Sequence, residues 1–178
     1  MAQSQTVAAK GPAAEAVPEA PVRQFLTFML GGEMFAIGIL GIKEIIEYST
    51  LTEVPMMPPA VRGVINLRGS VVPVVDLAVR FGRAANAVTK RTCIVIVEIS
   101  LQDARQDVGV VVDAVNEVLD IPPQDIEPAP TFGARIRTDF IEGMGKVNNR
   151  FVILLAANQV LSLDELAEIA AQTEAPAA

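Results

Sequence analysis

INLRGSVVPVVDL (residues 65–77) is the stretch whose reading decides the fold. Two apolar runs face each other across Leu67-Arg68-Gly69-Ser70, the pattern of a β-hairpin with a two-residue turn. Gly69 suits the positive φ that such a turn requires. The neighbouring turn position ordinarily holds Asn, Asp or Gly, and here it holds Arg68. Chemistry alone leaves two readings of this arginine: a solvated surface side chain, or a cation presented on a rigid hairpin to pair with a carboxylate.

Upstream, EVPMMPPAVRG places Pro58 and Pro59 where the first turn of a short helix would sit. Gly63 then suits a left-handed helix exit, with Arg62 completing the last turn. Downstream, Asp76 is placed to cap one helical turn, LAVRF, ended by Gly82. Pro73 cannot donate to a ladder, so its strand is expected at an edge or at a bulge.

Further out, QFLTFML, a GGE turn and MFAIGIL predict a first hairpin from Gln24 onward. IKEIIEY fits a helical turn by spacing and a strand by its β-branched content, and is read as a strand. TCIVIVEI, DVGVVVDAV and NEVLDI predict three more strands, residues 122–137 a long Pro-containing loop, and IEGMGKVN with RFVILLA a closing hairpin. Ser162 and Glu165 spell a capping box for a last helix whose apolar face is Leu163, Leu166 and Ile169. Residues 1–23 are Ala- and Pro-rich with no apolar period and read as a disordered arm, and residues 172–178 as a flexible tail.

The deciding stretch has a second copy. VINLRGSVVPVVDLAVRF (64–81) lies over MGKVNNRFVILLAANQVL (144–161) at a constant offset of 80 residues. Each copy reads as strand, two-residue turn, apolar strand and short helical turn, which suggests two similar small β-barrels in one chain. The second copy carries Asn148-Asn149 at the turn, so turn geometry does not by itself call for Arg68.

Composition bounds the function. At 178 residues the chain is one domain, or two small halves sharing a core. Hydrophobic residues make up 51% and aromatics 4%, so the core is built from Val, Ile and Leu, which favour strands. A net charge of −7 with scattered basic residues speaks against nucleic acid and against an anionic membrane surface. There is no His, which removes the commonest general base and phosphotransfer through His. Cys93 is the only cysteine, so no intramolecular disulfide or Cys/His metal site is expected, and a buried thiol is the plain reading of its apolar run. No basic-then-apolar leader opens the chain, and FVILLAANQVLSL is too short and polar to span a bilayer. A cytoplasmic protein is expected.

No catalytic pattern emerges. Asp76, Asp113 and the pair Asp164-Glu165 could be imagined as the two acids of a hydrolase. Acids at strand ends and in first helical turns are ordinary caps. GMGK lacks the spacing and the Ser/Thr of a phosphate loop. An interaction module without catalytic residues, metal or cofactor is the better class.

PPAVRGVINLRGSVVPVVDL resembles the central signature of the CheW family, the adaptors of bacterial chemosensory arrays. FAIGILGIKEI, VGVVVDAVNEVLDI with DIEPAP, and GMGKVNNRFVILL resemble further parts of that family, so the likeness covers residues 24–171. The chain departs at Gly38 and Ala156, where Asp is usual, and at Asn148-Asn149, where Asp-Gly is usual.

The resemblance implies a mainly β fold of two intertwined five-stranded SH3-like barrels around a shared core, with short helices and a C-terminal helix. It implies a non-catalytic adaptor joining chemoreceptor signalling tips to the histidine kinase CheA, recruited to membrane-associated arrays without touching the membrane. A scaffold of a pilus or second-messenger system is the alternative within the family. Carried over residue by residue, receptor binding falls to Ile42, Glu44, Arg62, Arg68 and Val118, in a groove between the barrels that takes a helical hairpin. Ile42 and Val118 are apolar anchors in that reading and core residues in the plainer one. Kinase binding falls to Ile126, Glu127 and Phe132, the last either an interface anchor or tucked onto a barrel.

Overall fold

The computed structural model describes residues 21–101, 104–129 and 138–162. Among them the chain forms β1 (Arg23–Leu30), β2 (Glu33–Gly38), β3 (Ile42–Glu47), β4 (Val61–Leu67) and β5 (Ser70–Asp76). A four-residue helix α1 (Leu77–Arg80) follows, then β6 (Cys93–Leu101), β7 (Ala104–Val112), β8 (Ala114–Ile121), β9 (Ile126–Glu127), β10 (Ile141–Val147), β11 (Arg150–Leu155) and α2 (Ala157–Val160). The fold is mainly β, as expected. IKEIIEY is a strand, and the deciding stretch is the β4–β5 hairpin.

The strands form two sheets, β3-β6-β7-β5-β4 and β8-β1-β2-β11-β10-β9. The chain starts the second sheet with β1–β2, crosses to build all of the first with β3–β7, and returns to complete the second. The two units are therefore intertwined. Each closes on itself. Beyond β3, Thr52 exchanges backbone bonds with Val64 of β4, at 3.0 and 2.8 Å, so the chain leaving one edge strand pairs with the other. In the second unit β9, the continuation of β8, pairs with β10 opposite Met144 and Gly145. Counting β8 and β9 as one bent strand, each unit is five-stranded.

The internal repeat extends to irregular features. A bulge falls between Val61 and Gly63 in one hairpin and between Ile141 and Gly143 in the other, at the same offset of 80. Closure meets Val64 in one unit and Met144 in the other. Gly63 and Gly143 sit where the closing segment passes closest. A Cβ on Gly63 would lie 2.5 Å from the Thr52 carbonyl oxygen, and one on Gly143 would lie 2.7 Å from Ile126 Cγ2.

Three expectations are corrected. Residues 58–63 form no helix. Pro58 to Val61 is one turn, closed by the Val61 N–H on the Pro58 carbonyl at 2.9 Å, and Val61 already begins β4 because it pairs with Val75. Gly63 is a strand residue kept small by Thr52, and Arg62 is a strand residue too. Second, the stretch after Pro122 contains β9 and is no uninterrupted loop. Third, β5 is an interior strand; Pro73 is tolerated because pairing with β7 begins only at Val74. The predicted last helix beyond Ser162 and Phe132 lie outside the described residues.

The core has three parts. Phe25, Ala36, Ile121, Val152 and Leu154 fill one barrel, and Val72, Val74, Ile94, Ile96 and Val111 the other. The largest cluster draws on both sheets, with Phe28, Leu30 and Phe35 from one and Val75, Val97 and Val110 from the other. Four of the few aromatics line up in this shared core, Phe28–Phe35–Phe81–Phe140, at centroid separations of 6.1, 5.6 and 6.1 Å. Val and Ile fill one barrel and aliphatics around Phe25 the other, while the four aligned rings join them.

Candidate functional site

Arg68 sits at the tip of the β4–β5 hairpin with φ +53°, followed by Gly69 at +88°. Both central residues are left-handed, so the strain is not confined to Gly69. The equivalent tip has Asn148 at +52° and Asn149 at +65°, residues that tolerate this conformation. An arginine there is an outlier that the surroundings must hold. Two contacts do so. The Gly69 N–H donates to Asn66 Oδ1 at 2.9 Å, tightening the turn. Arg68 Nη2 donates to Glu44 Oε1 at 2.9 Å while Nη1 donates to Glu44 Oε2 at 2.5 Å. This two-pronged pair spans from the hairpin to β3 at the opposite edge of the sheet.

The fork sets the local electrostatics. The Arg68 hydrogen bonds hold the Glu44 carboxyl below the usual glutamate range, against an opposing effect of desolvation. The same bonds raise Arg68. The Arg68 side chain is 73% exposed and that of Glu44 26%. The result is a guanidinium fixed in orientation yet open to solvent. That geometry suits recognition of a carboxylate by a preorganised cation.

A second arginine of the same hairpin does different work. Arg62 Nε donates to Asp76 Oδ2 at 2.8 Å, and Nη1 to the Tyr48 hydroxyl at 2.9 Å. The Asp76 side chain is buried, and its Oδ1 accepts the N–H groups of Ala78 and Val79 at 3.0 and 3.4 Å, the expected cap of α1. Arg62 thus ties β4 to the cap of α1 and to the residue following β3.

The other expected site residues divide between the sheets. Ile42 is half-buried and packs on the shared core, its plainer reading. Ile45, passed over in the sequence, is 43% exposed on the outer face of β3. Its exposure is a matter of strand phase, which the ambiguous IKEIIEY pattern does not settle. Val118 is also 43% exposed, on β8 of the second sheet opposite Leu26. The structure therefore pairs Glu44 with Arg68, engages Arg62 separately with Asp76 and Tyr48, and leaves Val118 on the other barrel. Ile126 packs on the second barrel's core and Glu127 is exposed beside it, both on β9.

Of the acids weighed as a hydrolase pair, Asp76 and Asp113 are engaged elsewhere, and Asp164 and Glu165 lie outside the described residues. Asp76 is a cap and counter-ion, and Asp113 accepts the Gly31 N–H at 2.7 Å and the Asn86 amide at 3.1 Å. Burial pushes the Cys93 thiol up, with the Glu47 charge adding to the shift, which suits an inert thiol.

A profile of the CheW-like domain matches residues 24–165. The chain belongs to the CheW-like family. Among curated proteins, this CheW-like chain is similar to the chemotaxis protein CheW of Klebsiella aerogenes, 35% identical over 145 residues, covering 82% of this chain and 85% of the relative. It is likewise similar to the chemotaxis protein CheW of Bacillus subtilis, 37% identical over 139 residues, covering 78% and 86%. The crystal structure of the scaffolding protein TtCheW from Thermoanaerobacter tengcongensis superposes with a TM-score of 0.71 at 34% identity, covering 79% of this chain and 88% of that one. A family scaffold of chemotaxis is what the CheW-like fold supports here. Among the described residues no helix is long and apolar enough to cross a membrane.

Proposed function

We propose that this chain is a non-catalytic adaptor that couples chemoreceptor signalling tips to the histidine kinase CheA. The observation that carries the reading is the Arg68–Glu44 fork. It is a charged pair on the outer edge of one barrel, held in a left-handed turn that its twin hairpin fills with asparagines. Strain of this kind persists where a side chain must be presented. In this reading the receptor surface takes in the fork and Val118 on the other barrel, a helix-in-groove arrangement of charged rim and apolar anchor, with Ile42 of the same strand as Glu44 packed inward on the shared core. Arg62 supports that surface through Asp76 and Tyr48. The kinase surface takes in Ile126 and Glu127 of β9 on the other barrel, together with Phe132, which lies outside the described residues. An adaptor whose two surfaces share no residue can hold both partners at once. It acts in the cytoplasm, recruited to receptor arrays.

The test is co-capture. Immobilised chain is offered purified CheA and a receptor cytoplasmic fragment, separately and together. Retention of both partners in one complex is the expected result. Retention of neither would overturn the reading.

A further inference from the structure

The two hairpins of the internal repeat expose an apolar residue at the same place. Val71 of the β4–β5 hairpin is 65% exposed and Phe151 of the β10–β11 hairpin 54%, at the shared offset of 80. A phenylalanine there departs from the rest of the chain. Among the described phenylalanines, Phe25, Phe28, Phe35 and Phe140 are buried and Phe81 is half-buried in the line of rings, so Phe151 alone is exposed.

Charge separates the two tips further. At the first, Arg68 has its counter-ion within the molecule, Glu44. At the second, Lys146 stands directly across from Phe151, and Arg150 precedes it at the turn. Both are exposed, and among the described residues neither side chain makes an ion pair or a hydrogen bond. By contrast Arg23, Lys43, Arg62 and Arg105, also on strands, are each paired with a carboxylate. Strand alternation fixes the direction of the patch. Val152 is buried in the barrel, and a Cβ on Gly145 would meet Ile121 and Leu154, so Lys146 and Phe151 point outward together.

The tip thus offers an apolar ring flanked by two cations in a chain whose net charge is −7. The ladder beneath holds it in place, so little order is lost on binding. Its complement is an acidic surface with an apolar side chain at the centre, since an aromatic anchor concentrates binding energy and the surrounding charges select the partner. A nucleic acid or an anionic bilayer would meet the same two cations and also the net negative charge of the rest of the chain, which two cations are too few to offset. β9 pairs with β10 at Met144 and Gly145, so the tip lies beyond that pairing and includes neither Ile126 nor Glu127.

We propose that Lys146, Arg150 and Phe151 at the β10–β11 tip form a separate docking surface for an acidic protein segment that carries an apolar side chain between its carboxylates. The proposal does not depend on which partners the adaptor couples.

The test is an NMR titration of the isotope-labelled full chain with a synthetic hexapeptide, leucine and phenylalanine between two glutamates on each side. Amide shifts confined to the tip and its flanking residues, saturating at about millimolar peptide or below, are the expected result for so small a contact. Lys146→Glu with Arg150→Glu should weaken binding by about tenfold or more, and Phe151→Ala by about fivefold or more. All three positions are exposed, so the amide spectrum away from the tip should stay as it is in these variants. Absence of shifts at the tip overturns the proposal. Equal binding of the same peptide with lysines in place of glutamates also overturns it, by leaving apolar contact alone. Shifts centred instead on the exposed cations Lys90 and Arg91 would move the acidic partner to another loop and overturn it too. Co-sedimentation with phosphatidylserine vesicles that is lost in the double variant would assign the tip to a bilayer, and tip shifts that grow with protein concentration alone would assign it to a second copy; either result overturns the proposal.

Discussion

Arg62→Met separates the two arginines of the deciding hairpin. Arg62 faces a carboxylate whose side chain is 4% exposed, and methionine keeps the apolar stem while removing the charge. Asp76 would then be buried with two backbone donors, from Ala78 and Val79, and no cation. Removing one partner of a buried pair costs about 3–5 kcal/mol, and the retained cap bonds argue for the lower end, about 3 kcal/mol. Asp76→Ala removes both the cap, about 1 kcal/mol, and the pair, while Arg62 turns to solvent; about 2 kcal/mol is expected. The double variant leaves no buried charge and should cost about 3 kcal/mol, so the cycle shows a coupling of about 2 kcal/mol. The opposite unit shows that the double loss can be borne, since Glu142 and Ala156 stand at the offset positions and Glu142 pairs instead with Arg23 at 2.9 Å. Urea unfolding followed by circular dichroism at neutral pH measures all three variants. A cost below about 1 kcal/mol for Arg62→Met, or strict additivity in the cycle, would refute the buried-pair reasoning.

Two further outcomes follow from the geometry. The Glu44 carboxyl, held low by Arg68, should titrate below the ordinary glutamate value of about 4.3 in a carbon-detected NMR titration, and return to it in Arg68→Ala. Because its folded pKa is depressed, any stability from the fork is present above the unfolded value and lost as pH falls through the folded one; a raised midpoint would contradict the pairing. Gly63→Ala must push against the Thr52 backbone oxygen, and Gly143→Ala against the stiff γ-methyl of Ile126 and the Glu127 backbone oxygen, so each should destabilise by about 1–3 kcal/mol; negligible costs would contradict the closure of the barrels.

How much of this could be read from the chain depends on how local each cause is. Hairpins, strand alternation and the Asp76 cap are set within a few residues, and they were legible. The repeat was legible because it recurs at one offset, and the structure extends it to bulges and closure. PPAVRG misled because its prolines and glycine are local helix punctuation, whereas pairing of Val61 with Val75 and the approach of Thr52 are tertiary. Arg68 was marked as odd from the turn alone, but its partner Glu44 is 24 residues away on the far edge of the sheet, and no local pattern points there. The buried role of Arg62 was hidden for the same reason. Cys93, expected to be buried, is only partly so, and desolvation raises its thiol.

The central claim is that Arg68 is presented for a partner and not merely fitted into a turn. Arg68→Glu tests it directly, with melting temperature, receptor-fragment affinity and CheA affinity measured on one preparation. An exposed pair contributes little to stability, so the melt should shift by only a few degrees. Reversal of charge beside Glu44 replaces attraction with repulsion, and receptor affinity should fall by about tenfold or more while CheA affinity is kept. Wild-type receptor affinity in Arg68→Glu would contradict the account.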